Sequence, residues 1–162
     1  MASKPPAADQ ESVWDYPRPP RLEATSKRLE VTFAGVVIAS TVRGHRVLET
    51  SHPPTYYIPP EDVAGDHLVV NPRRTLCEFK GVARYYDLVV GARRSVAAAW
   101  CYPEPTPPFA AITGHFVFYA SRVDRCSVDG ELVEAQAGDF YGGWVTSNIV
   151  GPFKGLPGSE RW

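Results

Sequence analysis

The residues with the widest chemical reach lie mid-chain, in TLCEFKGVARYYDLVVG (75–91) and AAWCYPEPTPPF (98–109). Lys80 offers an ammonium to a carboxylate or phosphate, or, once desolvated, a nucleophilic amine. Arg84 can clamp an anion through two parallel N–H bonds. Cys77 is a nucleophile only if a base stands beside it. Upstream, Glu49 shares a strand face with Val47 and His45, so its carboxylate can point inward if Lys80 or Arg84 meets it. Tyr57, Tyr85, Trp100 and Tyr102 supply rings of the kind that wall small-molecule sites.

Each of these has a plainer reading. Lys80 is also an ordinary ion-paired strand lysine, and Arg84 pairs equally well with Glu78 or Asp87. Cys77 reads first as an inert buried thiol, the rings read first as core, and His52 and His115 read first as loop or core histidines. The catalytic role is therefore left unknown, with Lys80 and Cys77 the candidates. The ligand-binding candidates are Glu49, Tyr57, Lys80, Arg84, Tyr85, Trp100 and Tyr102.

Totals narrow the classes. The 162 residues fit one domain, and 44% hydrophobic with 22% charged residues is a globular composition. A formal net charge of -1 provides no global field for nucleic acid or anionic lipid, and no apolar run approaches a membrane span. Neither a nucleic-acid nor a membrane partner is expected. Three cysteines without C-x-x-C spacing fit a reduced, cytoplasmic setting and supply no zinc cage. There is no P-loop, G-x-G-x-x-G, G-x-S-x-G or His-Glu-x-x-His, so no cofactor or metal is called for.

Strands must position the candidates. Leu29, Val31 and Phe33 alternate with polar residues, Ala34-Gly35 turns the chain into Val36–Val42, and further strands are expected at HRVLETS, TYYI and HLVV, the last ended by Asn71-Pro72. One long strand is expected from Leu76 to Val90 with a bend at Gly81, then another from Ser95 to Tyr102 after Gly91. Counting in twos puts Cys77, Phe79, Ala83, Tyr85 and Asp87 on one face, and Lys80, Arg84 and Tyr86 on the other. Neither face is cleanly apolar, so Gly81 switches faces or the sheet lines a mixed cavity. Pro103, Pro105, Pro107 and Pro108 stop the next strand in a stiff rim that holds Glu104. Asp129-Gly130 is a hairpin turn.

These elements give a mainly β fold with little helix. Residues 1–24 form an extended N-terminal arm whose first six to ten residues are expected to be disordered. Residues 25–136 form the β domain, and 137–162 a Gly- and aromatic-rich C-terminal arm packed on the domain or on a neighbouring subunit.

Together, VWDYPRPPRLE, VLETSHPPTYYIPPEDV, TLCEFKGVARYYDLVVG, AAAWCYPEPTPPFAAITGHFVFY and GDFYGGWVTSNIVGPFKGLPG resemble the bacterial family known as domain of unknown function 427. The matched positions are Cys77, Lys80-Gly81, Tyr85-Tyr86, Ala99-Trp100 and Pro103, with Glu49 and Tyr57 upstream. The resemblance implies two antiparallel sheets packed at an angle, a β-tent or open barrel like that of methionine sulfoxide reductase B and the cereblon ligand-binding domain. Those relatives hold zinc in paired C-x-x-C motifs that this chain lacks, so neither metal nor chemistry carries over. A nucleotidyltransferase label is sometimes attached to the family, but the Gly-Ser and Asp-x-Asp motif of such enzymes is absent here. Two functions remain open: a β domain with a small-molecule pocket, or a non-catalytic interaction module, including a homodimer, built with the aromatic arms.

Overall fold

The computed structural model describes residues 9–162. The disorder expected at the extreme N-terminus falls largely outside these. Short two-residue strands begin and end the order: β1 Glu11–Ser12, then β2 Arg21–Thr25, β3 Leu29–Phe33, β4 Val36–Thr41, β5 Gly44–Leu48 and β6 Thr55–Tyr57. The long central strands are β7 Leu68–Cys77, β8 Gly81–Val90 and β9 Arg93–Cys101. After them come β10 Val117–Phe118, β11 Arg125–Val128, β12 Glu131–Leu132, β13 Glu134–Ala135, β14 Trp144–Val145 and β15 Ile149–Val150. Helical structure among the described residues is limited to short 3₁₀ segments, one of them Pro60–Asp62, where proline opens the turn.

The strands form several antiparallel sheets, none closed into a barrel: four-stranded β10-β9-β8-β7 and β12-β11-β3-β4, three-stranded β2-β5-β6, and the pair β13-β14. A parallel pair joins β1 to β15. The fold is thus mainly β, distributed over more sheets than the two expected, because prolines and bulges keep cutting strands short. One buried cluster joins Leu29, Val31, Phe33, Ile38, Tyr56, Leu88, Phe118 and Trp144. A second, richer in rings, joins Tyr57, Tyr85, Trp100, Tyr102, Phe109 and Tyr119.

Three expectations are corrected. Residues 21–24, read as the end of the extended arm, belong to β2, which pairs with β5 from Arg21↔Leu48 to Thr25↔Gly44. Its short, half-buried alternation carries little signal, and what marks the pairing is the cross-strand charge match of Glu23 with Arg46. The strand at HLVV does not stop at Asn71-Pro72. β7 is an edge strand that absorbs Pro72 in a register shift between Val70 and Arg74, where no ladder N–H is required. The strand expected from Leu76 to Val90 is two strands, because residues 78–80 make a turn and Gly81 opens β8.

Candidate functional site

Lys80 is placed by that turn. Gly81 has φ +110, and a Cβ there would stand 3.3 Å from the Glu104 carbonyl oxygen, so only glycine lets the turn approach the proline-rich loop. The loop holds it in return: Thr106 N–H donates to the Lys80 carbonyl at 3.1 Å, and Thr106 Oγ1 donates to the Phe79 carbonyl at 2.6 Å. The stiff segment thus fixes Lys80, while Glu104 itself is exposed. The Lys80 side chain turns inward and is 8% exposed. Its ammonium lies 5.9 Å from the Tyr102 ring centre and 5.8 Å from that of Phe109. No acceptor or counter-ion meets it among the described residues.

Beside Lys80 opens a cleft of about 290 Å³. β8 and β9 put Tyr85 opposite Trp100, and both reach the cleft, as does Tyr102 just past the end of β9. β6 contributes Tyr57, the loop after β5 gives Glu49 and His52, and β7 gives Thr75 and Cys77. The remaining wall comes from the C-terminal segment, with Gln136, Tyr141, Gly142 and Lys154. Gly142 lies so close to Trp100 that an added Cβ would come within 2.3 Å of the indole ring, which is how the segment seals this edge.

Six of the seven ligand-binding candidates, Glu49, Tyr57, Lys80, Tyr85, Trp100 and Tyr102, therefore share one cleft. Arg84 does not. It is exposed on the opposite face of β8, between the buried Ala83 and Tyr85, because the turn at 78–80 breaks the count that grouped it with Lys80. His52, Gln136, Tyr141 and Lys154 were not foreseen as members. The aromatic and glycine content of residues 137–162 signalled that the segment docks, without signalling where.

The polar floor has a defined protonation pattern. Gln136 Oε1 accepts from Gly143 N–H at 3.1 Å and its Nε2 donates to the Lys154 carbonyl at 2.8 Å, which fixes the amide. The same Nε2 lies 3.1 Å from His52 Nδ1, so that nitrogen accepts and the proton sits on Nε2. Burial, reinforced by the charges of Lys154, Arg18 and Lys80, pushes the imidazole down to about 4, leaving it neutral at pH 7. His52 Nε2 faces Glu49 at 3.8 Å, and Arg18 meets the same carboxylate at 3.3 Å. Burial also drives the Tyr57 and Tyr102 hydroxyls well above the ordinary phenol range, so both stay protonated. The Trp100 indole N–H leans toward these hydroxyls but completes a hydrogen bond with neither.

The cysteines divide by environment. Cys126 is in the main core, where burial pushes its thiol up to about 12. Cys101 is buried against the Tyr86 hydroxyl at 3.9 Å. Cys77 reaches the cleft, but no hydrogen bond joins it to His52 among the described residues, so no base activates it in this arrangement. His115 packs edge-on against His45 at 5.7 Å and does not line the cleft. Among the described residues no three His, Cys, Asp or Glu side chains converge to hold a metal, and no helix is long and apolar enough to cross a membrane.

Comparison with known proteins places this geometry in a family. The model of NTP_transf_9, described as a domain of unknown function (DUF427), matches residues 21–129. The matched stretch holds every cleft residue from Val47 to Tyr102, and ends before the C-terminal wall. No curated protein matches the chain.

Proposed function

The chain belongs to the domain of unknown function 427 family, and from that premise we propose that it is a small-molecule-binding β domain whose ligand occupies the cleft beside Lys80. One observation carries this reading: Lys80, 8% exposed, lines a ring-walled hollow with an ammonium that no acceptor or counter-ion meets among the described residues. Hydrogen bonds to charged groups contribute about 1.5–3 kcal/mol, which a bound acceptor would supply here. The cleft is at the small end of ligand sites, which span roughly 300–1,000 Å³. Ring walls with placed polar groups are the usual make-up of such sites.

A thermal-shift screen of small metabolite-like compounds tests the proposal. Hits raise the melting temperature, since occupancy at about 100 times Kd adds about 2.7 kcal/mol, and they move the Trp100 indole resonance in a ¹H–¹⁵N spectrum. Hits that all leave that resonance in place, or a screen that moves nothing, overturn it.

A second reading, self-association, draws on the sheet edge that borders the cleft. Leu76 and Val82 form a cross-strand pair on β7 and β8 and are 75% and 52% exposed. An exposed apolar pair at a sheet edge is a feature of association surfaces. Sedimentation of the wild type and of Leu76→Glu decides the matter: this reading expects a dimer that the charge dissociates, and a wild-type monomer at ~100 μM, weak for a stable interface, ends it.

A further inference from the structure

We infer that the ligand of this cleft is a small carboxylic acid whose carboxylate is taken by the Lys80 ammonium together with the Tyr57 and Tyr102 hydroxyls, an assignment that rests on the cleft being a ligand site. The argument begins with charge. Lysines this buried are rarely left without a counter-ion, because removing an ammonium from water is costly. Two ring faces near 6 Å offset only part of that cost.

The other charged groups of the cleft are already committed or stand away. Glu49 is shared by Arg18 and His52. Lys154 donates to the Trp162 carbonyl at 3.0 Å and, at 3.5 Å, to that of Glu160. Glu78 is on the exposed rim and forms no ion pair with either lysine. His52 is neutral. Among the described residues, Lys80 is therefore the cleft ammonium that no acceptor meets.

The donors around it suit one kind of anion. Lys80 Nζ and the protonated Tyr57 and Tyr102 hydroxyls together offer three donor groups around one ammonium. A carboxylate brings one negative charge and about four lone-pair sites on two oxygens. A phosphate dianion would call for a second ammonium, whereas Lys154 turns its donors to the Glu160 and Trp162 carbonyls. Tyr85 and Tyr141 then face the acid's apolar body, which the volume keeps compact.

Titration of ¹⁵N-labelled protein with benzoate, benzamide and phenyl phosphate tests this, read at the Trp100 indole resonance assigned with Trp100→Phe. Benzoate is expected to bind at least tenfold tighter than benzamide, a margin of about 1.4 kcal/mol, and tighter than phenyl phosphate. Lys80→Met, close in shape and uncharged, should collapse the benzoate preference to about twofold while keeping the benzamide affinity. The tripeptide Gly-Gly-Phe separates a small acid from a chain terminus and is expected to bind more weakly than benzoate.

Benzamide equal to benzoate in the wild type overturns the inference without needing any variant. So does phenyl phosphate or the tripeptide as the tightest probe, or a benzoate preference that survives Lys80→Met. An indole resonance unmoved by benzoate at ~10 mM, far above millimolar Kd, overturns it as well, whereas the ligand-site reading itself falls only if the wider compound screen also fails.

Discussion

Trp144→Ala is expected to cost about 4 kcal/mol of folding free energy, within the 3–5 kcal/mol typical of truncating a buried large aromatic. The side chain is fully buried in the main core. Its indole N–H donates to the Phe118 carbonyl at 2.9 Å, and its ring lies 5.3 Å from that of Tyr56. The backbone is tied in as well: Trp144 N–H donates to the Pro54 carbonyl at 2.9 Å, and β14 pairs with β13 at Ala135↔Trp144. A domain of this size loses roughly 2–4 °C per kcal/mol, so a melting-point drop of about 10 °C accompanies the change. Trp144→Phe keeps the ring but not the N–H and should recover about half of the loss. Urea unfolding of the three proteins reads the effect directly. A loss below about 1 kcal/mol, the range of surface changes, would mean that residues 137–162 are a dispensable wrap and not part of the fold that shapes the cleft.

That result bears on how far residue patterns reach. Periodicity within a strand was legible. In β8 the buried Ala83, Tyr85 and Asp87 alternate with exposed Val82 and Arg84, as a count of two requires. What the count could not carry was phase across a turn. Lys80 belongs to the turn and not to a strand face, so including Arg84 with it applied one parity to two separate elements. The proline-rich rim was legible as stiff, since proline fixes φ whatever surrounds it. Which backbone it would brace was a tertiary fact, set by the approach of Glu104 to Gly81.

The C-terminal wall illustrates the same limit at longer range. Its aromatics exclude a free tail by composition. The seat of Tyr141 beside His52, with ring centres 5.1 Å apart, depends on a contact between residues far separated in the chain. No local spacing encodes such a contact. The Trp100 N–H is legible only by complete accounting of hydrogen bonds in three dimensions, because an indole of this kind is usually satisfied.

Asp87→Asn is expected to cost about 3 kcal/mol at pH 7, at a residue that the count in twos groups with Ala83 and Tyr85 and that the fold buries with them. Asp87 is 4% exposed. Its Oδ1 accepts from the Ala97 N–H at 2.7 Å and from Asn71 Nδ2 at 2.8 Å, and its Oδ2 accepts from Arg94 at 2.6 and 3.0 Å. Ala97 has φ +51, at the place where β8 and β9 shift register between Tyr86 and Leu88, so the carboxylate satisfies a strained backbone N–H that no ladder partner can reach. An asparagine must set its own N–H₂ against one of these donors, leaving a buried group unpaired at about 1–3 kcal/mol and losing the charge assistance of Arg94. The pH dependence carries the sharper signature. Burial alone would raise the Asp87 carboxyl, but the Ala97 N–H, Asn71 and Arg94 outweigh it and hold the group below its ordinary value. A carboxyl depressed in the folded state contributes stability above its unfolded value of ~3.9, and that contribution drains away as the pH falls through the folded value. The stability difference between wild type and Asp87→Asn should therefore stay level from about pH 7 to 5 and shrink below about pH 4. Because the two proteins share every other titrating group, their difference isolates this one. A difference that stays constant down to about pH 2 would mean that Asp87 does not titrate on unfolding as an ionised bulge anchor must.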